Sequence, residues 1–284
     1  MKPAPFAYHT PSTIDEATGM LAELGDDATL LAGGQSLIPL MNLGLARPNN
    51  VIDLRRIAPL NGFDTTGDGL VIRAMATQRQ VETSETVKAE APLVADALTM
   101  VGFRPTRTRG TVVGSLTHAD PAAELPMVAL ALDAKLRLVS RDRERTVSAD
   151  DFFISYFTTQ RQPSELVVDV LFPNRFKGWG FAEFRRRTGD FAIVAAAVAV
   201  ETSGEYRIAL GGIADRPLRC TSAEEVLRDQ DVDQTLAQAA AEAAAEAVDP
   251  LGDIHASPDF KRRLLIPIVR TAVLDAARRG RDNG

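Results

Sequence analysis

The sequence predicts an α+β fold built in three successive parts, and three observations predict it. An apolar run, a glycine turn, a helical run and a second apolar run follow one another between Ala28 and Leu54, which is the pattern of a strand–helix–strand unit. From Asn61 to Phe172 short extended and helical segments alternate, the mark of a mixed α/β region. From Lys177 onward three extended runs precede three helical ones, so strands and helices segregate as they do in α+β domains. A chain of 284 residues has room for two or three such units, each with a core of its own.

In chain order, Ser12-Thr13-Ile14-Asp15-Glu16 reads as a helix start, with Thr13 as cap and Glu16 placed for a capping box; Gly25 ends the helix. Ala28 to Leu31 is a strand, Leu37 to Leu45 a helix with Pro39 tolerated in its first turn, and Val51 to Leu54 a second, parallel strand. Gly67-Asp68-Gly69 turns the chain into a strand at Leu70 to Ala74. Helices follow at Gln78 to Ser84 and Ala91 to Val101, and a third over Ala122 to Leu132. Lys135 to Val139 and Arg145 to Val147 form a hairpin across a mixed-charge tip, and Leu166 to Leu171 is a buried strand by composition. Gly180 to Arg187, Ile193 to Glu201 and Tyr206 to Gly211 make a three-stranded meander. Ser222 to Arg228, Gln234 to Val248 and Pro258 to Arg279 are helices; alanine's propensity drives the middle one, and Ser257-Pro258-Asp259 starts the last.

Composition narrows the function. A net charge of −6 argues against a binder that works by neutralising nucleic-acid phosphates. No apolar run reaches membrane-spanning length, and MKPAPFAYHT lacks the apolar core of a secretory signal, so a cytoplasmic location is expected. The single cysteine, Cys220, cannot build a disulfide, an iron–sulfur cluster or a thiolate zinc site within this chain. His9, His118 and His255 are scattered, without a partner at metal-ligand spacing, and no residues form a hydrolytic constellation.

Two glycine-bearing stretches carry the chemistry. Ala32-Gly33-Gly34-Gln35-Ser36 lies between a strand and a helix, where glycines let an anion approach the backbone and helix N–H groups receive it. Thr111-Val112-Val113-Gly114-Ser115 repeats the combination of glycine and hydroxyl. Either alone is compatible with an ordinary turn; together they suit a diphosphate. Asp120 follows the second stretch and has two physical uses, accepting from sugar-like hydroxyls or capping a helix at Pro121. His118 is expected to hydrogen-bond and shape the loop.

At this point the segments AGGQSLIPLMNLGLARPNNVIDL, RGTVVGSLTHADPAAELP and FRRRTGDFAIV, in this order and over essentially the whole chain, resemble the FAD-binding medium subunit of molybdenum hydroxylases, the carbon monoxide, nicotine and xanthine dehydrogenase family. The resemblance implies a two-subdomain FAD-binding domain of the PCMH/VAO type over residues 1–176 (subdomains about 1–58 and 59–176) and a C-terminal domain over 177–284, a three-stranded antiparallel sheet with a three-helix bundle. It implies that Ala32, Gly33, Gly34, Gln35 and Ser36, with Thr111, Val112, Gly114 and Ser115, clasp a non-covalent FAD. Asp120 and Glu124 would lie along the flavin crease, Leu166 would press on the ring region, and Arg185 would sit at a position often basic in relatives. Phe191 falls in Thr188-Gly189-Asp190-Phe191, the family's segment that approaches the ring. Arg185 to Arg187 also read, without the resemblance, as snorkelling arginines on an exposed strand.

Two positions depart from the family pattern. Val113 stands where relatives carry a glycine, and if that site needs a positive φ, valine is a poor choice and FAD affinity falls. Gln35 stands where some relatives carry histidine, so a histidyl–flavin bond there is excluded. The function implied by the resemblance is an electron-transfer subunit of a heterotrimer, with a dimer of heterotrimers as the expected assembly. A small subunit would hold the [2Fe–2S] clusters and a large subunit the molybdopterin, with an external acceptor reoxidising the flavin. A free-standing flavin oxidoreductase with its own substrate is the alternative, and a flavin-free scaffold that kept the fold is the third reading.

Overall fold

A computed structural model describes residues 2–283. The first unit is a three-stranded parallel sheet in which Asn50–Asp53 lies between Ala7–His9 and Ala28–Leu31. Val51 and Ile52 are buried because the central strand has a neighbour on each side and helices over it. The strand Ala7–His9 is absent from the expectations above: three residues, none fully buried, carry too little periodicity to read. The helix Ile14–Leu24 is capped by Thr13 as expected. The capping box does not close, however, because Glu16 reaches back to the N–H and hydroxyl of Ser12 rather than to the cap residue. Buried Asp53 ends the central strand; it accepts from the Tyr8 hydroxyl at 2.5 Å and pairs with Arg55 at 2.7 Å.

The second unit is a five-stranded antiparallel sheet, in the order Phe63–Thr66, Gly69–Arg73, Leu166–Pro173, Lys135–Val139 and Glu144–Ser148. The edge strand Phe63–Thr66 was not expected; its exposed, polar FDTT sequence lacks a buried face to betray it. Leu166–Pro173 occupies the centre, and its near-continuous apolar run follows from contact on both faces. Short helices connect the strands. The helix Glu124–Ala131 has all eight of its residues buried, since it lies between this unit and the next; a helix apolar all round belongs in such a place.

The third unit is an antiparallel sheet of three long strands, Phe176–Phe184, Val194–Glu201 and Tyr206–Gly211, with a two-residue fourth strand, Leu218–Arg219, at its edge. The helices Thr221–Leu227, Gln234–Ala247 and Pro258–Asp282 pack on it. The alternation of a strand divides Val194–Glu201 between two cores. Ala195, Ala197 and Ala199 join the core of the first two units, while Ala196, Val198 and Val200 join the helical core. Small alanines on this strand let a helix approach from one side and the Glu124–Ala131 layer from the other. A side chain on Gly180 would strike the carbonyl of Ala272, so glycine there seats the last helix against its strand. The units are further tied at Asp96, which accepts from the Trp179 indole at 2.8 Å and from Arg279 at 3.1 Å. Among the described residues no helix is long and apolar enough to cross a membrane.

Candidate functional site

A cleft of about 370 Å³ runs between the first two units, and both glycine stretches face it. The stretch Ala32–Ser36 leaves the strand Ala28–Leu31 and enters the helix Leu37–Asn42. Gly34 adopts φ +71°, a left-handed conformation that glycine takes without strain. Gly33 has a different reason: a Cβ there would strike the Arg109 carbonyl oxygen and come within 2.7 Å of Gly110 Cα. The first stretch therefore touches, backbone to backbone at Gly33, the Arg109–Gly110 segment that leads directly into the second, and a side chain would hold the two apart. The N–H groups of Gly34, Gln35, Ser36 and Leu37 find no acceptor among the described residues, and Ser36 makes no capping bond. Gln35 folds back, its amide donating to the Gly33 carbonyl at 3.2 Å.

The second stretch is less a loop than a helix start. Thr111 caps the helix Val112–His118, its hydroxyl accepting from the Gly114 N–H at 3.0 Å. Gly114 is small because a Cβ would sit 2.6 Å from that hydroxyl oxygen. Val113 is helical, has no positive φ and is buried at the back of the cleft, so no backbone conformation calls for glycine at this position. Val112 corrects the expectation more directly. Its side chain is fully buried in the core, it does not line the cleft, and its N–H donates to the Ala76 carbonyl at 3.2 Å, which leaves nothing to offer a ligand.

Asp120, Glu124, Leu166 and Phe191 all line the same cleft. One Asp120 carboxylate oxygen accepts from the Ala122 N–H at 2.9 Å, a local turn rather than a helix cap, and the other oxygen has no partner among the described residues. Burial, reinforced by negative Glu183 and Asp120, pushes the Glu124 carboxyl up to about 8, so it holds its proton at neutral pH. Glu183 behind it is pushed up to about 7 by burial, with Arg185 pulling the other way. Leu166 is buried, whereas Phe191 is 60% exposed and stands free at the mouth. His118 shapes the wall by packing its ring on Phe157, centroids 5.0 Å apart, and not through a hydrogen bond; burial holds its imidazole below its usual pKa.

Arg185 is the second correction. The strand ends at Phe184, and Arg185 lies in the bend beyond it, outside the cleft wall. Its guanidinium donates to the Met100 carbonyl at 2.7 Å and stands 3.0 Å from a Glu183 oxygen, without hydrogen-bond alignment to the latter. Those partners occupy it. The cleft does contain an arginine that sequence reasoning missed, Arg161, in the irregular segment before Leu166. A lone arginine among Gln160, Gln162 and Pro163 carries no motif that could have revealed it.

The arrangement fits FAD on its own features. Unpartnered N–H groups and two close-packed glycine backbones suit a diphosphate, a free carboxylate oxygen suits hydroxyls, and Leu166, Val167 and Phe191 suit a flat apolar ring. Comparison with known proteins agrees. Residues 4–175 match the family model described as the FAD binding domain in molybdopterin dehydrogenase, and residues 179–276 match the carbon monoxide dehydrogenase flavoprotein C-terminal domain. The nicotine 6-hydroxylase medium subunit of Paenarthrobacter nicotinovorans is 35% identical, over 98% of this chain and 100% of the relative. A chain of carbon monoxide dehydrogenase from Hydrogenophaga pseudoflava superimposes with a TM-score of 0.94 at 35% identity, covering 98% of this chain and 99% of that one. Quinoline 2-oxidoreductase from Pseudomonas putida 86 gives 0.93, at 35% identity and with 98% and 99% covered. The chain belongs to the family of FAD-binding medium subunits of molybdenum hydroxylases, and is the flavoprotein component of an oxidoreductase of that type.

Proposed function

We propose that this chain is the electron-transfer subunit of a cytoplasmic heterotrimeric molybdenum hydroxylase, with a small [2Fe–2S] subunit and a large molybdopterin subunit as partners. The reading includes a division at about residue 176, supported by family-model matches that end at 175 and resume at 179, and a dimer of heterotrimers as the assembly. The observation that carries it is the meeting of the two glycine stretches across one cleft in a chain with a single, buried cysteine. A [2Fe–2S] cluster takes four protein ligands, commonly thiolates, so the clusters that feed this flavin have to come from another polypeptide.

When bound, FAD supplies a ring that collects electrons one at a time and releases them singly or in pairs to an external acceptor. The residues of this chain hold it. Gly34, Gln35, Ser36 and Leu37 direct N–H groups at the diphosphate, and the Ser36 and Ser115 hydroxyls add donors. Thr111 and Gly114 set the second wall, Ala32 and Gly33 bring the two walls together, and the free oxygen of Asp120 accepts from a hydroxyl. Protonated Glu124 donates into the cleft. Leu166 and exposed Phe191, both lining the cleft, would give the ring apolar contact and keep water from it. The similar proteins compared above are named for nicotine, carbon monoxide and quinoline at nearly equal identity, which supports a substrate chosen on another subunit.

The test is an absorption spectrum and a gel of the protein isolated from its native host under mild conditions. Flavin bands, a broad iron–sulfur shoulder and two additional polypeptides are expected. Flavin bands on a solitary 30.6 kDa chain that oxidises a small substrate unaided would overturn the subunit reading in favour of a free-standing enzyme.

A further inference from the structure

We propose that Arg161 is the cation that faces the flavin ring in this cleft and that it favours the reduced over the oxidised cofactor; the inference rests on the FAD reading above. Arg161 lines the cleft from the segment that leads into Leu166 and Val167. One nitrogen of its guanidinium, Nη1, donates to three carbonyls, those of Gln162 at 3.0 Å, Pro163 at 3.3 Å and Glu165 at 2.8 Å. Its main-chain N–H is held by the Thr159 hydroxyl at 3.3 Å. The side chain is thereby anchored at one corner, while Nε and Nη2 have no partner among the described residues.

No carboxylate neutralises it. No ion pair forms at Arg161 within the described residues, whereas most arginines of this chain that are as well buried have an acidic partner. Glu165, the carboxylate whose charge acts on Arg161, is already taken by Arg145 at 2.7 and 2.8 Å and by the Gln162 N–H at 2.8 Å. Burial accordingly pulls the Arg161 guanidinium below its ordinary value, with Glu165 opposing only in part. A desolvated cation without a counter-charge is costly, and the cost falls if a ligand supplies electron density at that spot. Arg185, at the position that the resemblance marks as often basic, is bound to Met100 and Glu183 outside the wall.

The part of the ligand that Arg161 meets follows from the wall around it. The free N–H groups of Gly34 to Leu37 form the anion-binding end, and Arg161 adjoins Leu166 and Val167, the apolar surface suited to the ring. Two electrons and one proton entering a neutral flavin leave one net negative charge on the ring. A fixed cation beside it stabilises that form selectively, whereas a cation on the diphosphate would strengthen both redox forms alike.

The experiment is a spectroelectrochemical titration of the FAD midpoint potential in the intact complex, with FAD affinity measured on the same samples, for wild type, Arg161→Gln and Arg161→Lys. Arg161→Gln is expected to lose at least tenfold in preference for reduced over oxidised FAD, a fall of about 30 mV for a two-electron couple. Arg161→Lys keeps the charge but not the fork of carbonyl bonds, and is expected to retain most of the wild-type potential. An unchanged potential in Arg161→Gln with weaker binding of both redox forms would place Arg161 on the diphosphate and overturn the proposal. Equal falls in both variants would assign the effect to the loop rather than the charge, and would overturn it too. A wild-type complex without flavin would instead refute the FAD reading on which the inference stands.

Discussion

The two glycine stretches look alike in sequence and do different work in the fold. Ala32–Ser36 is an open turn: Gly34 sits at positive φ, Gly33 admits a neighbouring backbone, and a row of N–H groups is left unpartnered. Thr111–Ser115 is a capped helix start, in which Gly114 donates to the Thr111 hydroxyl, Ser115 to the Thr111 carbonyl and Val112 to Ala76, leaving only the Thr111 and Val113 N–H groups without an acceptor among the described residues. The first stretch therefore keeps a continuous row of donors to offer a ligand, and the second, with Gly110 just before it, supplies the support against which the first is pressed. The difference teaches that a glycine beside a hydroxyl residue marks close packing as readily as it marks anion binding. Only the fate of the N–H groups separates the two cases.

The comparison is most severely broken by Gly33→Ala. Its new methyl meets the Arg109 backbone, which cannot retreat as a side-chain tip would, so a loss of about 3 kcal/mol or more and near-complete loss of FAD binding are expected. Chemical denaturation and flavin fluorescence titration measure both, and near-wild-type values would show that this backbone contact is dispensable. Val113→Gly comes next. Removing a buried valine and placing glycine in a helix costs about 2–3 kcal/mol without tightening FAD binding. A tighter dissociation constant in that variant would restore the view that this site calls for glycine.

Glu124→Gln sharpens the contrast from the side of the support, because it acts downstream of the second stretch and leaves the first untouched. The native carboxyl lies at about 8 in the folded chain against an ordinary value near 4.5. Folding thus favours the protonated form, and the associated stability, present in full below about 4.5, is lost as pH rises through about 8. Thermal melts of the apoprotein should show Glu124→Gln gaining on wild type by about 4 kcal/mol between pH 5 and 9. A pH-independent difference would mean that the carboxyl is not held protonated. The smallest expected effect is Thr111→Ala, which loses a helix cap worth about 1 kcal/mol while FAD binding weakens only severalfold. Abolished binding with unchanged stability would make the Thr111 hydroxyl a direct ligand contact.

Much of this molecule was legible beforehand. The parallel pair around the first glycine turn, the hairpin Lys135–Ser148, the meander and the three closing helices follow from periodicity and from end signals such as Ser257 and Pro258. The strands Ala7–His9 and Phe63–Thr66 escaped because they are short and lie at edges, where no buried face imposes alternation. Of the site, Gly33, Gly34, Asp120, Glu124, Leu166 and Phe191 do face one cleft, whereas Val112 and Arg185 do not. Neighbouring residues in a helix point in different directions, and a motif read as a loop conceals which of them points inward.

By itself, then, the chain determined its local elements and its family, since both depend on residue types at short spacing and on motifs kept in order. Tertiary structure alone decided which glycines stand against a neighbouring backbone and which leave their N–H groups open to a cleft, because that depends on what another segment places within a few ångströms. It also decided that Arg161 rather than Arg185 faces the cleft. A cation's role is set by its partners, and those partners are brought to it by the fold: Met100 lies far from Arg185 in sequence, and Leu166 stands beside Arg161 only where the strand begins.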